Sequence, residues 1–199
     1  MYTHFALARD LCTFVVAGDL ERLRVTAHAL ADQDESWGVP PGSEGYAREL
    51  QERALSAAQA PGGGEAARAV AELAQTCGRC HIVNKVALGE RFQTAAPFLD
   101  DPRIRHRNYL SWASRLLWDG LVGPSDRTWS TGAGALAGDD GFPPPAAQHV
   151  PGSVIAAAGA RLRSLGVEAA ESTDPTERAR ILADIWTECA DCHVQAGVR

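Results

Sequence analysis

The chain has 199 residues, of which 45% are hydrophobic and 22% charged, with a formal net charge of −6. That length suits one large domain or two small ones. No basic run speaks for nucleic acid or an anionic lipid surface, and no apolar stretch nears the roughly 18 to 20 residues of a spanning helix, so neither nucleic-acid binding nor direct membrane insertion is expected.

The apolar residues are mainly Ala, Leu and Val, and only 7% of the chain is aromatic, a balance that leans toward helix. Gly and Pro collect at "WGVPPGSEG", "APGGGE", "GDDGFPPP" and "HVPGS", where they break periodic segments. Between these breaks the 3.6-residue pattern predicts helices near 2 to 17, 19 to 33, 43 to 60 and 65 to 81, then again near 102 to 119, 125 to 138, 152 to 170 and 175 to 193. Asp101-Pro102 and Asp174-Pro175 place a capping Asp before a Pro at the first helical position, and Ser43 and Ser125 are further candidate caps.

Four helices followed by four helices suggest an internal repeat. Pairing His4 with His106 and Gly18 with Gly120 gives an offset of 102, and the offset reaches 112 between Cys77 and Cys189. The drift predicts a longer third element in the second half. The expected fold is therefore all-α: two tandem antiparallel four-helix bundles, residues 1–95 and 96–199, joined near residues 90 to 100 by a segment that is at least partly docked.

Each repeat ends in the same five-residue pattern, "CGRCH" from Cys77 to His81 and "CADCH" from Cys189 to His193. Two cysteines three apart share a helix face and can both reach the vinyl groups on one porphyrin edge, while the following His turns onto the iron. CxxCH therefore reads as covalent c-type haem attachment, with Cys77, Cys80, Cys189 and Cys192 as thioether residues and His81 and His193 as proximal ligands. Competing readings are a thioredoxin-like CxxC, which needs a βαβ context, a four-Cys zinc site, which needs both pairs on one ion, and a disulfide framework. The fifth cysteine, Cys12, reads as a small buried hydrophobe.

A four-helix bundle whose last helix ends in CxxCH resembles the cytochrome c prime superfamily, including its low-spin members. The resemblance implies two covalent haems c, one near the end of each fourth helix, with a residue of the first helix facing the sixth iron position. In that family this residue is often Met in electron carriers and apolar in gas-binding members. The only Met here is Met1, so His4 and His106, each on an apolar helix face, are the expected distal ligands. His28 and His149, which have no counterpart in the other repeat, are expected to be surface or loop histidines.

Two imidazoles per iron leave no open site, so the expected activity is single-electron transfer between redox partner proteins, without catalysis. A membrane-bound electron-transport complex is one candidate partner. The alternatives are a gas-binding or peroxidatic protein with a five-coordinate haem, and a haem subunit of a larger respiratory or photosynthetic complex. For the latter, Trp112, Trp118, Trp129 and Trp186 could anchor an interface, whereas in the former readings they fill the core, with Trp186 packed on haem. Covalent haem attachment is completed outside the bacterial cytoplasm, so a periplasmic or otherwise exported protein is expected. Met1 aligns with Arg103, just inside the helix start at Asp101-Pro102, which implies a leader ahead of "MYTHFALARDL".

Overall fold

The computed structural model describes residues 2–33, 39–86, 88, 102–138 and 152–197, without the side chains of 2, 3, 102–108 and 196. The described residues form helices joined by turns, with no strand: α1 Tyr2–Ala17, α2 Leu20–Ala31, α3 Glu44–Ala58, α4 Gly63–Val83, α5 Pro102–Val122, α6 Asp126–Ala137, α7 Gly152–Glu171 and α8 Pro175–Ala196. No helix among them is long and apolar enough to cross a membrane. Asp101, His149 and most of the segment joining the halves lie outside the described residues.

Capping chemistry sets several boundaries. Asp174 accepts from the Thr176 and Glu177 amides at 2.9 Å ahead of Pro175, and Ser125 accepts from the Thr128 amide at 3.2 Å, as these residue types do at helix starts. Asp19 does the same for α2, accepting from the Arg22 amide. Ser43 stands at the cap position of α3 without a capping bond. Its buried hydroxyl instead accepts from Asn84 Nδ2 at 2.8 Å, which ties the start of α3 to the end of α4.

The caps also correct the repeat register. Asp19 and Ser125 occupy the same position, at an offset of 106, and so do the helix ends at Ala31 and Ala137. Gly18 is a turn residue with φ +69°, whereas Gly120 lies inside α5 against the Trp129 backbone. The glycine match at 102 is therefore one helical turn out, and His4 corresponds to Leu110 rather than to His106. The longer third element is present: α7 has 20 residues and α3 has 15.

Within each half, sequential helices pack as neighbours, and the halves join most extensively through α4 against α8. On α4, buried residues run nearly all round, including Ala66, Ala67, Val70, Ala71, Leu73 and Ala74, the pattern of a central helix. α8 packs closely against these small side chains and also buries Ile181, Leu182, Ile185 and Trp186, the last turned to α5. The two helices run antiparallel, since Gln75 Nε2 bonds Thr176 Oγ1 at 2.8 Å while Gly64 lies beside Thr187. Trp118, Trp129 and Trp186 are fully buried, so three of the four tryptophans of the second half belong to the core. The first helix of each half also crosses over: α1 packs on α8 and α5 on α4.

Candidate functional site

Both CxxCH patterns lie inside the last turns of their helices, so Cys77, Cys80 and His81, like Cys189, Cys192 and His193, follow the i, i+3, i+4 spacing that puts side chains on one face. Cys77 is buried, and Cys80, Cys189, Cys192 and both histidines are half-buried, so each face runs from the core to the surface. Burial pushes the Cys77 and Cys189 thiols up to about 12, reinforced at each by the other cysteine of its pair. Burial also raises Cys192.

The antiparallel pairing of α4 and α8 sends the two patterns to opposite ends. Taking the Gln75–Thr176 contact as register, Cys77 and Cys189 stand on the order of 20 Å apart along the shared axis at 1.5 Å per residue. Four thiols so arranged cannot close on one zinc ion. Among the described residues no three His, Cys, Asp or Glu side chains converge as a metal cage.

The histidines make a matched pair of contacts. His81 Nδ1 lies 2.7 Å from the Val122 carbonyl oxygen, and His193 Nδ1 lies 2.7 Å from the Val16 carbonyl oxygen. A carbonyl only accepts, so each Nδ1 carries the proton and donates it, and in the neutral ring the lone pair is left on Nε2. Metal-binding histidines are oriented this way. Val16 and Val122 are themselves equivalent, at the last turns of α1 and α5 and at the offset of 106.

His4 is half-buried at the start of α1. Its pKa is pushed down to about 4, first by burial, then by the amino-terminal charge and by His81. It is therefore neutral at pH 7. His106 lies on α5 with its side chain outside the described part. His28 is exposed on α2. Trp186, one turn before Cys189, packs on Trp118 with ring centroids 5.7 Å apart and donates to Ser114 Oγ at 2.8 Å.

Three features of the site lie outside the two CxxCH motifs, and of these Cys12 is buried as expected. Asn84 Nδ2 donates to the Cys80 carbonyl at 2.9 Å, which closes the end of α4. Asp119 is buried on α5 beside Arg115, with Arg9 of α1 also near, and burial pushes its carboxyl up to about 7. Cys12, buried on α1 next to Asp119 and Cys189, is raised well above the usual thiol range, chiefly by desolvation. Asp119 stands alone in the apolar run "RLLWDGLV", a signal that was there to be read; the two carbonyls carry none, since any residue supplies one.

Each end thus presents two thiols and an imidazole on one helix face, with the imidazole proton held on Nδ1. No protein-family model, curated protein or solved structure matches the chain.

Proposed function

We propose that the chain is a dihaem c-type electron-transfer protein, with one haem held by Cys77 and Cys80 under His81 and the other by Cys189 and Cys192 under His193. The observation that carries this reading is the pair of Nδ1–H bonds to Val122 and Val16, which ready the same ring nitrogen for a metal at both motifs. When bound, each haem supplies a one-electron iron couple whose potential follows axial ligand, burial and nearby dipoles. The protein's own part is to present the thiols, orient the imidazoles and keep water from the buried side of each site.

His4 and His106 are the proposed distal ligands. His4 suits the role through its neutrality and its half-buried place at the start of α1. One-electron exchange with redox partner proteins, export to the periplasm and the absence of catalysis complete the reading. Mass measurement of the purified chain tests it: two covalent haems are expected, one lost in the Cys77→Ala/Cys80→Ala variant and the other in Cys189→Ala/Cys192→Ala. A chain that matures under haem-attaching conditions without covalent haem overturns it.

A second reading is favoured by the corrected register. Because His4 corresponds to Leu110, the two irons would meet different distal surroundings, and one of them would be five-coordinate and open to gas or peroxide. Carbon monoxide added to the ferrous protein separates the readings: binding at one haem or both supports the second, and no binding supports the first.

A further inference from the structure

We propose that each half of the chain positions the iron-binding histidine of the other half. This rests on the haem assignment only for its effect on potential; the contacts themselves belong to the polypeptide. His81 is carried by α4 of the first half, but its Nδ1 proton is held by Val122 of the second; His193 is carried by α8 of the second half, but its proton is held by Val16 of the first.

The crossing is built into the backbone. A Cβ on Gly78, inside CGRCH, would overlap the Leu121 carbonyl oxygen and stand 3.7 Å from Pro124 Cγ. At the other end, a Cβ on Gly18 would stand 3.0 Å from Val194 Cγ2 and 3.4 Å from the Ala190 carbonyl oxygen. At each motif the end of the other half's first helix is thus pressed against the motif helix, and glycine makes the approach possible. The carbonyl that reaches the imidazole sits on the residue next to Leu121 in one case and two before Gly18 in the other.

A carbonyl accepting from Nδ1–H makes Nε2 more basic and fixes the ring plane. A more basic imidazole favours ferric over ferrous iron. The residues that tune the second haem therefore lie at the end of α1, in the first half, and those that tune the first haem lie at the end of α5. Val16 and Val122 are positioning residues, acting through His193 and His81.

The test begins with the full-length chain made without haem attachment, labelled with 15N-histidine and with 13C at valine carbonyls only. Through-hydrogen-bond coupling is expected at Nδ1 of both His81 and His193. Val16→Leu, which keeps the carbonyl but leaves it unlabelled, should remove the His193 coupling alone, and Val122→Leu the His81 coupling alone. Loss at the histidine of the same half, or no coupling at either, overturns the proposal whether or not haem binds. In the holo-protein, Gly18→Ala should raise the midpoint potential of the haem on Cys189 and Cys192 and leave the other in place. A shift confined to the haem on Cys77 and Cys80 counts against the proposal.

Discussion

Asp119→Asn should stabilise the protein in a pH-dependent way. The carboxyl is 3% exposed as a residue, on α5, faced by Arg115 one turn away with Nε at 3.9 Å and, from α1, by Arg9 and the Cys12 thiol. Neither cation offsets the loss of water, and the pKa rises from 3.8 to about 7. An acid that holds its proton more tightly when folded favours the folded state fully below its unfolded pKa. That advantage disappears as pH rises from about 4 to 7 and is gone above it. At 1.36 kcal/mol for a tenfold change in proton affinity, ionising Asp119 costs the folded state about 4 kcal/mol. Asn has nearly the same shape and no charge to bury, so the variant and the parent should be equally stable at pH 4. At pH 8 the variant should be ahead by up to about 4 kcal/mol, on the order of 10 °C in Tm for a chain of this size. Urea unfolding of the full chain at unit steps from pH 4 to 8 reads this directly. A difference between the two proteins that does not change with pH would show that ionising Asp119 does not cost the folded state.

Gly78→Ala should destabilise by about 1–3 kcal/mol through overpacking against Leu121, measured as a fall in urea midpoint at unchanged slope. Trp129→Phe should cost about 1–2 kcal/mol in the same assay, through the lost 2.7 Å bond from Trp129 Nε1 to the Ala169 carbonyl and the space left by the smaller ring. In the haem-free folded chain at pH 8, iodoacetamide should alkylate Cys77 and Cys189 about a thousandfold more slowly than in urea, since a thiol raised from 9 to about 12 holds that much less thiolate; mass spectrometry of peptides gives the rates, and equal rates refute it. His106→Met should change the visible spectrum of one haem only, and an unchanged spectrum removes His106 from the distal site.

Helix boundaries were legible because they rest on local chemistry. The Asp-Pro pair before α8, Ser125 and the Gly/Pro clusters each act within a few residues, and the observed ends fall within two or three positions of those expected. Register between the halves was less legible. Gly18 and Gly120 match as letters but do different work, one in a left-handed turn and the other in a close helix contact, whereas Asp19 and Ser125 differ as letters and do the same work. The α4–α8 pairing was hidden because α4 is apolar nearly all round, so its periodicity names no partner. At the candidate site the thiols and imidazoles were readable from their spacing. The groups that orient the imidazoles were not, because they are main-chain atoms brought from more than 40 residues away in one case and from the far end of the chain in the other.

The Gly78 and Gly18 junctions are built as complements. One combines a motif helix thinned to Gly78 with a turn carrying Pro124; the other combines a motif helix keeping Ala190 with a turn thinned to Gly18. If two copies of the second half were to meet in this geometry, Ala190 would face a Pro124 turn at both ends, with no thinned surface to receive it. Two copies of the first half would face glycine to glycine and leave a gap. The glycine falls on the motif helix at one junction and on the turn at the other, so the two junctions are not one contact made twice.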